Sequence, residues 1–309
     1  MVFQQFPDLT WLKTQTEKRF ADRKGWNGLK LDNEGWPTVI LNVSTQHTYR
    51  DNIRGPLSLF MNLSGASHVE SGMKRVRIDE DYFYLTNHDQ HYTLDIDNTG
   101  STETFNIHIG EYFADQVFQT LGQKAETLLE KSFEQPQERI EFHNTLRPKT
   151  DIICTTIQEI RNTPSPSSIW LDEKLFTIIS ELVYQEGILH RKQESLPALK
   201  SSTREEIFAR LLNTVDYIYT NFHTDLSLDT LASVACLSKF HFLRLFKLAF
   251  AKTPHQFIND VRLTRAVKLL QSTSLEIKEI ARRVGFDDAS SFSRIFRIQK
   301  GVYPTQIRA

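Results

Sequence analysis

Near its C-terminus the sequence repeats itself. Ser238-Lys239-Phe240-His241-Phe242-Leu243-Arg244-Leu245-Phe246-Lys247 and Ser290-Ser291-Phe292-Ser293-Arg294-Ile295-Phe296-Arg297 share the pattern Phe-x-Arg-x-Phe-[Lys/Arg], fifty residues apart. The register continues to Pro254 with Pro304 and to Gln256 with Gln306. A match held over this length marks a duplicated unit rather than a chance recurrence. Before the first copy, Ser227 stands as an N-cap, and Leu228, Leu231 and Val234 or Ala235 follow on one helical face. Cys236-Leu237 then breaks the pattern, and Ser238 opens a second helix that buries Phe242, Leu245 and Phe246. Before the second copy come Ile277, Ile280, Ala281 and Val284, then the breaker Gly285-Phe286-Asp287, then a helix burying Phe292, Ile295 and Phe296. Helix, tight turn, helix, with a small residue (Ala232, Ala281) at the crossing, is the pattern of a helix-turn-helix.

The second helix of such a motif is the one that enters the DNA major groove. Its polar face in the first copy holds Lys239, His241, Arg244 and Lys247, and in the second Ser290, Ser291, Arg294 and Arg297. Arginine reads guanine through a bidentate pair, whereas serine and lysine serve phosphates or either kind of contact. Taken singly, each of these residues reads equally well as part of a solvated helix face. The joint recurrence of small residue, turn and arginine favours a DNA-binding pair.

Residues 203–309 resemble the DNA-binding domain of the AraC/XylS family of bacterial transcription regulators. The stretches that carry the resemblance are Leu228-x-x-Leu231-Ala232, Ser238-x-x-His241-Phe242-x-Arg244-x-Phe246-Lys247, Thr253-Pro254-x-x-Phe257-Ile258, Arg262-Leu263-x-x-Ala266-x-x-Leu269-Leu270, Ile277-x-x-Ile280-Ala281-x-x-Val284-Gly285-Phe286, Ser291-Phe292-Ser293-Arg294-x-Phe296 and Gly301-x-x-Pro304-x-x-Ile307-Arg308. The resemblance implies an all-α domain of two helix-turn-helix units joined by a long helix, roughly 254–270. It implies base-reading positions at Phe240, Leu243 and Arg244, and at Ala289, Ser290, Ser291 and Arg294. The sequence departs from the family pattern at three places. Cys236 and Ala251 stand where glycine is usual, and Leu243 is apolar where polar readers are common, so that it either meets a thymine methyl or joins the core.

Charge is distributed to match. Residues 203–309 carry 16 Lys+Arg against 10 Asp+Glu, whereas residues 1–202 carry 21 against 28. A basic C-terminal part supplies the salt-sensitive attraction to phosphates, and an acidic N-terminal part is repelled by DNA. At 309 residues, 39% hydrophobic and 24% charged, the composition is that of a globular protein large enough for two domains. Two unpaired cysteines, Cys154 and Cys236, and the absence of a basic-then-apolar leader lead us to expect a cytoplasmic protein without disulfides. Cys236, in the turn, is expected to be buried and inert.

The sequence divides into 1–190, a linker 191–202 that is polar and contains Pro197, and 203–309, whose first helix is expected at 203–222. In the first part a short helix is expected at 8–22, with Trp11 and Phe20 as anchors. Strands are expected at 38–43, 57–63, 75–78, 82–85, 91–96 and 103–109, with Asn98-Thr99-Gly100 as a hairpin turn between the last two. This series suggests a barrel or sandwich, and the family resemblance implies a cupin-like effector-binding barrel with flanking helices. The fold class is therefore α+β multidomain. Helices follow from Glu111, where Phe113, Val117, Phe118 and Leu121 share a face that Leu128 and Leu129 extend, then at 152–160 and 170–190. The apolar run 175–184 is a candidate homodimer face or else packs on its own barrel.

Tyr82, Tyr84, His91, Tyr92 and Phe105 are candidate effector contacts on inward strand positions. His88, His91, His108 and Glu103 lack the His-x-His pair of a metal-binding cupin, so no metal and no cofactor is expected. The sequence has no phosphate loop and no Gly-x-Ser-x-Gly elbow, and no catalytic residue is assigned. The expected protein is a DNA-binding transcription regulator, not an enzyme, controlled by a small-molecule effector. Its partners would be double-stranded DNA, a second copy of the chain and RNA polymerase. The alternatives are a regulator acting by abundance alone and a cupin metalloenzyme fused to a DNA-binding domain.

Overall fold

The computed structural model describes residues 2–14, 38–122, 140–197 and 200–308. The chain forms two compact units, Met1–Leu189 and His190–Ala309.

In the first unit, β1 (Val2–Phe3), β2 (Val39–Arg54), β3 (Leu57–Ser64), β4 (Ser67–Ser71), β5 (Lys74–Ile78), β6 (Tyr82–Thr86), β7 (His91–Ile109) and β8 (Leu146–Pro148) join one mixed sheet. The strand order is β1-β2-β7-β3-β6-β8, with β4 paired to β5 and β7. Among the described strands only β1 and β2 run parallel. Every strand segment expected from the sequence falls on a strand, Thr38 alone lying just outside β2, but the hairpin expected at Asn98-Thr99-Gly100 does not form. Residues 91–109 are one strand, because both of its halves pair with the long β2. The turn residues instead fall where the register slips from Thr45/Thr102 to His47/Asp97, an irregularity in the ladder. Asn98 Nδ2 holds this place by donating to Ala66 O at 2.6 Å and to Thr102 Oγ1 at 2.8 Å.

The sheet has two unlike faces, set by the two-residue period of the strands. Ile40, Leu57, Leu59, Met61, Phe83, Leu85, Phe105, Ile107 and Ile109 share one core with the helices α1 (Glu111–Gly122), α2 (Asp151–Asn162) and α3 (Ser168–Glu194). Leu175, Ile178, Ile179 and Leu182 of α3 belong to that core, so the apolar run read as a candidate dimer face is largely spent on its own sheet. Phe176 and Tyr184 remain exposed. Residues 9–14 are helical, with Trp11 N donating to Asp8 Oδ1 at 2.7 Å; the remainder of the expected 8–22 helix, with Phe20, lies outside the described residues, as do Leu128 and Leu129.

In the second unit α4 (Ser201–Asn221) leads to α5 (Leu228–Val234), α6 (Lys239–Phe250), α7 (Pro254–Ser272), α8 (Ile277–Arg283), α9 (Ala289–Lys300) and α10 (Pro304–Ile307). The stretch expected as a linker thus carries the last residues of α3 and the start of α4. α5 with α6 and α8 with α9 are the two helix-turn-helix copies, and α7 is the long helix between them. No described helix is long and apolar enough to cross a membrane.

Candidate nucleic-acid interface and ligand cavity

Both copies are built by the same backbone hydrogen bonds. At the end of α5, Leu237 N donates to Ala232 O at 3.0 Å and Cys236 N to Ser233 O at 3.0 Å. At the end of α8, Phe286 N donates to Ala281 O at 2.9 Å and Gly285 N to Arg282 O at 3.0 Å. This crossed pair is a Schellman motif, and it requires a left-handed residue just past the helix. Gly285 meets the demand with φ 89°, and Cys236 meets it with φ 52°. The cysteine is exposed, not buried as expected: its backbone is committed to the turn, and the turn aims its side chain outward. The hydrogen bonds also show that the copies are forty-nine residues apart up to the turn and fifty beyond it, so the second turn is one residue longer.

Each second helix is then fixed at both ends. Ser238 stands at the N-cap of α6 without a side-chain bond, while Asp288 accepts from the amides of Ser290 (2.9 Å) and Ser291 (2.7 Å). Those bonds, the Ser291 amide foremost, hold the Asp288 carboxyl below its usual range. Past the helices, Ala251 (φ 55°) and Gly301 (φ 76°) reverse the chain. Pro254 and Pro304 then occupy first helical positions, where their missing N–H costs nothing. Gln256 and Gln306 reach back to accept from the amides of Thr253 (2.9 Å) and Tyr303 (2.7 Å). The repeated Pro and Gln of the sequence are therefore helix-start devices.

The helices present matching faces. Phe242, Leu245, Phe246, Phe292 and Phe296 are buried, whereas Ile295 is only half-buried. On the opposite side Phe240, Arg244 and Lys247 of α6 correspond to Ser290, Arg294 and Arg297 of α9, each set spaced i, i+4, i+7. All six are exposed, and His241 is exposed beside them. Arg244 and Arg294 make no hydrogen bond or ion pair among the described residues. Lys239, half-buried, is paired with Asp229 at 2.7 Å, and Arg297 is held by the hydroxyl and ring of Tyr303. Leu243, Ala289 and Ser291 are half-buried at the edges of the faces. Arg262 of α7 braces the second copy, donating to Phe222 O and Thr224 O at 2.8 Å each and lying over the Phe286 ring.

The other face of the first unit's sheet borders a cavity of about 370 Å³. Val39 and Leu41 of β2, Phe60 of β3, and Leu94, Asn106 and His108 of β7 line it, with Phe3, Phe6, Trp11 and Leu12 from the N-terminal segment. Of the expected effector contacts only Tyr92 lines this cavity. Phe105 is one residue out of phase and packs in the helix-side core. Tyr82 and Tyr84 are buried in β6, where Lys74 Nζ lies over the Tyr84 ring. His91 is exposed and holds Asn52 Oδ1 at 2.8 Å.

Sequence reasoning missed Arg50 and Asn106. Arg50 and Ile53 both line the cavity although three positions apart, because a bulge between them, with Asn52 at φ 47°, adds a residue to β2. Thr93 Oγ1 accepts from the Asn52 amide at 3.0 Å and secures the bulge together with His91. Asp51-Asn52, residue types that tolerate left-handed backbone, were the local signal of the bulge in the sequence. Asn106 and His108 were legible, since they are the polar alternates of Phe105, Ile107 and Ile109. Burial, with the charge of Arg50 adding to it, pushes His108 down to about 4, and burial pushes the Tyr92 phenol up. His88, His91, His108 and Glu103 do not converge: their partners are Glu111, Asn52, Ser58 and Arg161 respectively.

The helix-turn-helix domain family matches residues 231–309. The chain is 34% identical over 92 residues to the MmsAB operon regulatory protein of Pseudomonas aeruginosa, covering 30% of each chain. It is 26% identical over 242 residues to the transcriptional activator RhaS of an Enterobacter species, covering 78% of this chain and 80% of that one. Among solved structures, the C-terminal domain of AraT, a response regulator from Geobacillus stearothermophilus, is 33% identical with a TM-score of 0.31, covering 32% of this chain and 83% of that one. Fold and face define a protein with a paired helix-turn-helix unit. The C-terminal unit is an AraC-type domain, related to those of AraC/XylS regulators. The matched stretch spans less than half the length of the MmsAB regulator.

Proposed function

We propose that the protein is a sequence-specific DNA-binding transcription regulator. It places α6 and α9 in neighbouring major grooves and answers to a small molecule bound in the cavity of its N-terminal unit. The observation that carries the reading is the pair of exposed arginines, Arg244 and Arg294, at equivalent positions of two duplicated helices and held in no hydrogen bond or ion pair among the described residues. Arginine so presented suits bidentate readout of guanine, with Phe240, His241, Leu243, Ala289, Ser290 and Ser291 beside it. Lys239, Lys247 and Arg297 suit phosphates. The basic charge of this unit supports the same reading. The cavity's volume falls within the range of small-molecule sites, about 300–1,000 Å³, and supports the sensor clause. The reading extends to a cytoplasmic homodimer that acts on RNA polymerase, with an N-terminal sheet of cupin type.

Fluorescence anisotropy of the full-length protein on DNA from upstream of its own gene, at two salt concentrations, tests the proposal. Binding should weaken as salt rises. Arg244→Ala and Arg294→Ala should each cost about 1–3 kcal/mol on the cognate site. If neither substitution changes affinity for a site the wild type prefers, the two helices do not read DNA.

A further inference from the structure

The cavity's polar groups specify the chemistry of its occupant. Its wall is dominated by aromatic and aliphatic side chains, yet two arginines also line it: Arg54, ion-paired with Asp89, and Arg50, which is only 8% exposed and makes no ion pair among the described residues. Burial pulls the Arg50 guanidinium below its usual range, and its Nη2 has no hydrogen-bond partner. Tyr92 and Asp8 favour its charge only through space and offset the effect of burial only in part. Asp8 turns its Oδ1 to the Trp11 amide and makes no ion pair with Arg50 among the described residues. The Tyr92 phenol stays protonated, and the Phe6 ring lies under the guanidinium at 5.0 Å. A second donor also lacks a partner: Asn106 Nδ2 is buried and unbonded. Its orientation is set by the Met61 amide, which donates to Asn106 Oδ1 at 3.3 Å, with Thr104 Oγ1 beside the same oxygen at 2.9 Å. A flipped amide would set its donor against the Met61 N–H. Ser58 Oγ donates to Pro56 O at 2.8 Å and lies 2.9 Å from His108 Nδ1, which therefore carries the imidazole proton and leaves Nε2 as an acceptor. A buried cation and a buried amide donor without acceptors are costly unless a ligand completes them.

We infer that the cavity binds a small organic monoanion, a carboxylate on an apolar, ring-bearing or alkyl body, with Arg50 as its counter-ion and Asn106 as a second donor. With Arg54 already paired to Asp89, Arg50 is the lining arginine left without an ion-pair partner among the described residues; it suits one negative charge, so a phosphate dianion is disfavoured. The aromatic lining suits the body. The inference rests on the sensor clause of the proposed function and adds its ligand class.

Calorimetry on the full-length protein tests it, with phenylacetate, 4-phenylbutyrate and hexanoate as probes, their primary amides as neutral counterparts and a panel of neutral sugars. At least one carboxylate should bind saturably, and its amide on the order of 10- to 100-fold more weakly. Arg50→Gln should erase that difference. Asn106→Asp, which supplies the cavity with its own anion while keeping an acceptor for the Met61 amide, should abolish carboxylate binding and serves if Arg50→Gln does not fold. Equal binding of acid and amide, carboxylate binding unchanged in both variants, or no binding by any carboxylate each overturns the inference. Sugar binding that alters DNA affinity, with every carboxylate rejected, sinks the ligand class but keeps the sensor. Loss of DNA binding by Arg244→Ala and Arg294→Ala is read independently of both.

Discussion

The first helix-turn-helix copy holds Cys236 and Ala251 in left-handed backbone, with φ of 52° and 55°; the second holds Gly285 and Gly301, at 89° and 76°. The demand is identical in each case, a Schellman turn between helices and a reversal after the second helix. The second copy meets it with the residue that pays no steric penalty, and the first accepts two side chains there. Backbone geometry, then, is what the duplication preserves, and the residue that supplies it is free to drift while neighbouring contacts hold the shape. Left-handed residues other than glycine cost about 1 kcal/mol or more each, so the first copy stores strain that the second lacks.

The copies also differ in how tightly their turns are packed. A Cβ at Gly285 would lie 2.8 Å from Phe222 O and 3.0 Å from the Arg262 guanidinium, whereas one at Gly301 would meet nothing within 4 Å. Gly285→Ala should therefore be the most damaging change, with a loss of roughly 3 kcal/mol in urea unfolding of the full-length protein. A loss no larger than that of Gly301→Ala would mean that the approach to Phe222 is relaxed at no cost. For DNA binding, comparing Arg244→Ala with Arg294→Ala weighs the copies directly. Each should cost about 1–3 kcal/mol, and with Phe240 as its neighbour rather than Ser290, Arg244 should show the smaller loss of base discrimination. An equal loss at both would place the copies on a par. Gly301→Ala should cost about 1 kcal/mol, from φ alone. Smallest, and opposite in sign, Cys236→Gly and Ala251→Gly should each stabilise the protein by about 0.5–1 kcal/mol, the relieved strain exceeding the extra chain entropy of glycine. Destabilisation by either would show that the first copy has adapted to its side chains.

The duplicated helices were legible because their signals are local: apolar spacing, caps, a small residue at each crossing. The extra residue in the second turn was in the letters too, at Gly285-Phe286-Asp287, but became visible only through the paired hydrogen bonds. The strands were legible as segments and not as partners. Asn98-Thr99-Gly100 carries turn chemistry, yet the long neighbour β2 offers both flanks more ladder bonds than a reversal would, and tertiary pairing overrode the local preference. The cavity was the least legible part. Choosing Phe105 selected the apolar phase of β7, which the helices claim, whereas the polar phase, Asn106 and His108, faces the cavity. Arg50 depends on a bulge whose local signal, Asp51-Asn52, does not say which face of the strand Arg50 joins; the pairing with β7 decides that.

The longer second turn has a consequence for anyone who would build hybrid regulators by exchanging reading heads between the copies. A splice made within the first helix of each motif carries the donor's own turn and keeps each head in phase. A splice made after Ser238 or Asp288 keeps the host turn and also works, because the helices beyond are equivalent residue for residue. Joining by a uniform offset of fifty across the turn inserts or deletes one residue. A helix turns by about 100° per residue, so that misjoin would swing the arginine off the reading face and turn a phenylalanine outward. Modular exchange in this protein has two safe seams, and the turn between them is not one.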